Sequence, residues 1–196
     1  FMSYDRRWLE PVGSEDSHAR TLWALAICGA MDDEPSRRGW AVNLFQTALG
    51  SAEHFTSPRA WAFTLLGLDA YCTMMPSDPV ADRMRHLLAE RLLALLEAYK
   101  RDGWQWFENV LAYDNARLPQ ALIATGLATG KRAYIDAGIG SLRWLVALQT
   151  TSTGAFRPVG TESFGKIQET PAKFDQQPVD AAATIAFNQL HRECRT

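Results

Sequence analysis

Apolar and polar positions along this chain group into seven stretches with helical spacing, and no segment alternates for long enough to build a sheet of any size. The first stretch predicts a helix from about 15 to 29. Its apolar positions Leu22, Trp23, Leu25, Ala26 and Ile27 occupy more than one face, as in a helix buried on most sides. Asp33-Glu34-Pro35 opens a second, with Trp40, Val42, Leu44, Phe45 and Leu49 as its expected buried side and Gly50 near its end. Ser57-Pro58 starts a third, through Ala60, Phe63, Leu65, Leu66, Leu68 and Tyr71. The fourth follows Ser77-Asp78-Pro79 to about Lys100 and is the most clearly amphipathic. It sets Met84, Leu88, Leu92 and Leu96 against Arg83, Arg85, Glu90 and Arg91. A fifth follows Asp114, a sixth covers about 133 to 149, and a seventh runs from near Pro178 to Arg192. Between them, the loop from 151 to 174 has room for a short hairpin.

Four of these helices open on versions of one string. Asp114-Asn115-Ala116-Arg117-Leu118-Pro119-Gln120-Ala121-Leu122 has weaker copies beginning at Ser17, Ser57 and Asp175, each passing at once into an Ala-rich apolar run. A short oxygen-bearing side chain in front of such a run is how a capped helix begins. Repeated helical units imply a repeat architecture. The helices also alternate between Ala-rich, all-round apolar ones and charged, half-exposed ones, which predicts two layers of helical hairpins. Either an α/α toroid or a linear solenoid gives that alternation. The long loops rich in polar and aromatic residues, 4–17, 102–113 and 151–174, all precede members of the Ala-rich set. A toroid with a cleft at one mouth accounts for this asymmetry, because loops on a rigid scaffold carry function. The expected fold is therefore all-α, one hairpin-repeat domain over 1–196. It would be an incomplete ring of about seven helices, a fragment of a longer toroid completed by the rest of a longer chain or by a second copy.

Composition narrows the partners. With 47% hydrophobic and 21% charged residues the chain can bury a core. A net charge of -2 and a pI near 6.1 leave no basic stripe, so nucleic acid and anionic membrane are not expected partners. No apolar run approaches the roughly 20 residues of a bilayer span, and no signal-peptide pattern opens the chain. The expectation is a soluble, cytoplasmic protein. Cys28, Cys72 and Cys194 lie far apart without ligand spacing, so neither a disulfide framework nor a metal site is expected. No cofactor motif is visible.

Several strings resemble a known family: Tyr4-Asp5-Arg6-Arg7-Trp8-Leu9-Glu10, Gly13-Ser14-Glu15-Asp16-Ser17-His18-Ala19-Arg20, Trp104-Gln105-Trp106-Phe107-Glu108, Tyr113 to Leu122, and Lys173-Phe174-Asp175-Gln176-Gln177-Pro178. They look like the helical-toroid region of bacterial glycosyltransferase proteins, which is similar to the six-hairpin glycosidases and to sugar epimerases. The resemblance covers nearly the whole chain and implies a carbohydrate ligand. Two departures stand out. The family's Asp-Asp-Asn-Ala-Arg segment, which precedes the Asp-Arg-Arg-Trp string, is not in this sequence, and a closed six-hairpin ring needs twelve helices.

Candidate chemistry gathers at the starts of the Ala-rich helices. Glu15 and Asp16 are adjacent carboxylates followed by His18 and Arg20; either carboxylate could serve only the helix dipole, or could face a cleft as general acid or base. Glu108 follows Trp104 and Trp106, whose faces could stack on sugar rings or simply plug the core. Asp114 and Asp175 could be caps or catalytic carboxylates. Asn115, Gln176 and Gln177 could meet sugar hydroxyls, with Trp8 and Tyr113 in the lining. Arg20 and Arg117 could hold phosphate or a sugar carboxylate, or pair with Asp16 and Asp114. The catalytic candidates are thus Glu108, Asp16, Asp114 and Asp175, acting on a glycosidic bond. The alternatives are a non-catalytic saccharide-binding toroid accessory to a transferase domain, and a structural array that binds protein. An epimerase is weakened by the lack of paired histidines. Nucleotide-sugar transfer by this chain alone is weakened by the lack of a βαβ pattern or phosphate loop.

Overall fold

A computed structural model describes residues 2–172 and 174–193, with the side chains of 186–193 left aside. Lys173 and Cys194 and the side chain of His191 therefore lie outside the described residues. The elements are α1 (Glu15–Met31), α2 (Pro35–Leu49), α3 (Pro58–Met74), α4 (Pro79–Tyr99), α5 (Arg117–Thr129), α6 (Arg132–Leu148) and α7 (Pro178–Glu193), with short 3-10 turns at Gly50–His54 and Thr161–Ser163. The protein is all-α among its described residues. Four helices begin on proline, whose missing N–H costs nothing in the first turn. After α6 the chain makes a short antiparallel turn, with a bridge between Thr150 and Phe156 flanked by bonds from Thr151 N–H to the Ala155 carbonyl and from Arg157 N–H to the Gln149 carbonyl, and a second isolated bridge joins Gly160 to Gln176.

The chain divides into two compact units, Phe1–Leu88 and Ala89–Thr196, and the division falls inside α4. In the first unit α1 packs on both α2 and α3. Its buried residues Ala19, Leu22, Ala26 and Gly29 form a single stripe. A Cβ on Gly67 of α3 would stand 3.1 Å from the backbone of Trp23, so these two helices cross almost backbone to backbone. α3 is buried on nearly every side, from Arg59 to Tyr71. That matches the expectation of a helix buried on most sides; α1 does not. Its Ala24, Ile27 and Met31 are exposed, Met31 at 74%, because no described element packs on that side.

α2 buries Ala41, Phe45 and Leu49, one residue in every four. Trp40, at 60% exposure, and Leu44 stand one step round the helix and face water, contrary to the sequence reading. Tyr71 joins the unit's elements at their polar end: its hydroxyl accepts from Gln46 Nε2 at 2.7 Å and donates to Asp78 Oδ2 at 2.6 Å. Asp78 Oδ1 in turn accepts from Val80 and Ala81 N–H and caps α4.

In the second unit α5 packs on α6 and on α7. A Cβ on Gly138 would lie 2.6 Å from Ile123 and 2.9 Å from the Pro119 carbonyl, so α5 and α6 also touch through a missing side chain. α5 is buried almost throughout, including Gln120 and Thr125, and ends on Gly130 in the left-handed region, φ 67°. The loop ahead of it folds inward: Trp104, Trp106 and Phe107 are buried. Trp104 meets Trp144 of α6 edge-on at 4.9 Å, and Trp106 stacks on the same ring at 5.8 Å.

Candidate functional site

The residues expected to open the repeats do so in different ways. Only Ser57 occupies an N-cap position. α1 is capped by Ser14, whose side chain accepts from Ser17 N–H, so Ser17 already lies in the first turn. Asp114 and Asp175 are not caps. Both adopt left-handed backbone, φ 51° and 59°, which aspartate tolerates better than most residues, and they turn the incoming loops toward α5 and α7. The cap position of α5 is Ala116, with no side-chain bond.

In the first unit α1 spreads its candidates over separate faces. Glu15 reaches 41 residues along the chain to the start of α3, where its carboxylate accepts from Thr56 N–H at 2.9 Å, Ser57 N–H at 2.7 Å and the Thr56 hydroxyl at 3.1 Å. Burial pushes this carboxyl up, but the Ser57 and Thr56 amides and the Thr56 hydroxyl outweigh it and hold it below its ordinary 4.5. Glu15 thus takes the N–H of the cap residue of α3, while the Ser57 side chain makes no cap bond of its own. Asp16 pairs with Arg20 at 2.8 Å, and the Arg20 guanidinium lies 4.0 Å from the centre of the Phe63 ring. His18 turns the other way. Its Nε2 lies 3.0 Å from the Ala48 carbonyl, and its ring meets Phe55 edge-on.

His18 belongs to an open trough of about 680 Å³ between the start of α1 and the end of α2. The trough also presents Ser14, Ser17, Thr21, Ser51 and His54, and its apolar wall includes Val12, Ala48 and Phe55. A smaller pocket of about 330 Å³ adjoins it at Gly13 and is edged by Trp8, Glu10 and Pro11. Trp8 is 77% exposed. The loop that carries it is pinned by a turn in which Ser3 and Arg7 exchange bonds and Asp5 holds both.

In the second unit the starts of α5 and α7 come together. Asn115 folds back on Ala112, taking its N–H on Oδ1 and donating Nδ2 to its carbonyl. Its backbone N–H and Nδ2 also approach Asp180 Oδ1, each at 3.4 Å. Asp114 and Asp180 are both 1% exposed. Arg117 lies 3.6 Å from Asp114 Oδ1 and donates to Gln120 Oε1 at 2.8 Å. The result is a buried network of carboxylate, amide and guanidinium groups at the N-terminal ends of two helices. Tyr113 is half-buried beside it in sequence. Glu108 is half-buried, and its carbonyl accepts from Trp104 Nε1 at 2.7 Å. Asp175, Gln176 and Gln177 are exposed; the first two pair by backbone with Thr161 and Gly160.

Two readings change with this geometry. Trp106 is 0% exposed and Trp104 nearly so, which leaves neither an open face for a sugar ring. Arg20 and Arg117 both have carboxylates of their own helix ends beside them rather than an open anion site. Sequence reasoning passed over Asp180, Gln120 and the trough residues Ser51, His54 and Phe55. A polar Gln120 inside an otherwise apolar run was the signal for the first pair; the trough left none, since its two walls come from separate helices. Among the described residues no cluster of three or more His, Cys, Asp or Glu side chains is arranged to hold a metal ion. No helix among them is long and apolar enough to cross a membrane. Compared with known proteins, the chain matches no family model, no curated protein and no solved structure.

Proposed function

We propose that this chain is a carbohydrate-active protein of glycosyltransferase or glycosidase type, an arc of an α/α toroid that takes a saccharide at the N-terminal ends of its inner helices. The observation that carries the reading is the buried network of Asp114, Asn115, Arg117, Gln120 and Asp180. Burying two carboxylates and a guanidinium costs several kcal/mol per ion before their mutual attraction is counted. A fold that needed only a packed helix start could use apolar residues there, and ionisable groups clustered in a buried place are candidates for a functional site. The mixture of donors and acceptors also suits sugar hydroxyls. Glu108, in the loop that leads into this network, is the proposed general acid, with Asp114 or Asp175 as the second carboxylate. The cytoplasm is the proposed compartment.

A second reading has its own support. Asp16 and Asp114 each lie against an arginine of their own helix, and the aromatic rings beside Glu108 are core. A non-catalytic saccharide-binding toroid accessory to a transferase domain needs none of these groups to react. Glu108→Gln separates the two when saccharide binding and turnover are both measured. Turnover lost with binding kept supports an enzyme; turnover absent from the unmodified chain that still binds supports the accessory role. No saccharide binding by the unmodified chain overturns both.

A further inference from the structure

We propose that the trough at the start of α1, together with Trp8, is a subsite for neutral sugar, one ring lying in the trough and the next stacked on the Trp8 indole. The inference rests on the saccharide reading above and names the class of sugar and its place.

The volume, about 680 Å³, falls within the range of small-molecule sites. Its polar groups offer both halves of a hydroxyl's bonding. Ser14 Oγ donates to Ser17 Oγ at 2.8 Å, which leaves the Ser17 proton to donate outward. Thr21 Oγ1 donates to the Ser17 carbonyl at 2.7 Å and keeps its lone pairs to accept. In the neutral His18 ring, the Ala48 carbonyl beside Nε2 selects the tautomer with its proton there, so Nδ1 is an acceptor. Ser51 and His54, from the turn after α2, also line it. A sugar hydroxyl both donates and accepts, and this set meets both demands.

Charge decides the class. The trough has no Lys or Arg in its lining, and its one carboxylate, Glu15, is held ionised by the start of α3. A uronate or sugar phosphate in the trough would meet that negative charge with no Lys or Arg of the lining to offset it. Trp8 supplies what the buried Trp104 and Trp106 cannot, an indole open to solvent on a loop pinned by the Ser3–Arg7 turn.

The test is a titration of the ¹⁵N-labelled chain, followed by NMR, with methyl glucoside, methyl mannoside, methyl galactoside and their β-linked disaccharides. Glucuronate and glucose 6-phosphate serve as the anionic arm. The expected result is saturable shifts at Thr21, Ser51, His54 and the Trp8 indole with at least one neutral sugar, and binding at least tenfold weaker for the anionic partners. Both Trp8→Ala and Ser51→Trp change exposed positions and should weaken the neutral sugar at least tenfold, with the amide spectrum of α3 unchanged. Anionic sugars binding as well as neutral ones would overturn the proposal, as would unchanged affinity in Ser51→Trp. If neutral sugar shifts Asn115 and Gln120 instead, and the trough variants do not matter, the subsite falls while the saccharide reading stands. If no sugar binds anywhere, both fall.

Discussion

Glu15→Ala is the substitution whose outcome separates structure from ligand binding at the start of α1. The carboxylate accepts three bonds from the two residues that precede α3. Thr56 is exposed, so water replaces its share of the loss, while Ser57 is half-buried and its N–H loses its acceptor. A hydrogen bond to a charged group contributes about 1.5–3 kcal/mol net. The expected loss is therefore about 2 kcal/mol, close to one such bond. For a chain of this size that lowers Tm by about 4–8 °C. Glu15→Gln keeps one acceptor oxygen and should lose about half as much.

The pH dependence supplies a second reading of the same experiment. Because the folded carboxyl is held below 4.5, its ionised form is favoured by folding. The stabilisation it gives is present above its ordinary value and is lost as the pH falls through the lower, folded one. Urea unfolding of the wild type and of Glu15→Gln, followed by far-UV circular dichroism between pH 7 and pH 3, should show a gap that is constant at the upper end and narrows toward the lower. A Glu15→Ala variant as stable as the wild type, with saccharide binding lost, would refute the capping argument and return this carboxylate to the ligand.

Other expectations follow from the packing. Trp106→Ala should cost about 3–5 kcal/mol, the range for a buried aromatic, and leave the affinity of the folded chain for sugar unchanged; urea unfolding and titration together check it. Gly138→Ala puts a methyl against the Pro119 carbonyl and should destabilise by about 1–3 kcal/mol, read as a fall in Tm. Tyr71→Phe removes the hydroxyl that first holds Asp78 below the usual carboxylate range; it should cost about 1 kcal/mol and raise the Asp78 pKa, seen in a ¹³C carboxyl titration. Asp180→Ala leaves the Asn115 donors without this acceptor and should cost about 2 kcal/mol more than Asp180→Asn, which keeps an oxygen at that position.

Helix starts were legible because their chemistry is local. Pro35, Pro58, Pro79 and Pro178 each sit at the first position of a helix, and each marks that position in the sequence. Burial was less legible, because it depends on neighbours. The apolar face of α1 was read as surrounded, yet Ile27 and Met31 have no described element over them. Trp40 was read as core by its size, yet the stripe through Ala41, Phe45 and Leu49 turns it outward. Trp104 and Trp106 admitted two readings from sequence alone, since their outcome rests on Trp144, some forty residues later.

The candidate carboxylates divide by what their helix starts require. An α-helix leaves its first N–H groups without partners inside the helix, and an acceptor must come from somewhere. In the first unit it comes sideways, as Glu15, the first residue of α1, takes the N–H of the α3 cap residue Ser57; in the second, Asp180, in the first turn of α7, takes the N–H of Asn115, one residue ahead of the α5 cap position. In each unit this places an acidic residue at a helix start for a reason of folding. A carboxylate that serves a helix start in this way has a folding role whether or not it also meets a ligand. The informative carboxylate is one whose loss changes chemistry while unfolding stays put, and Glu108, outside every helix, is where that comparison should begin.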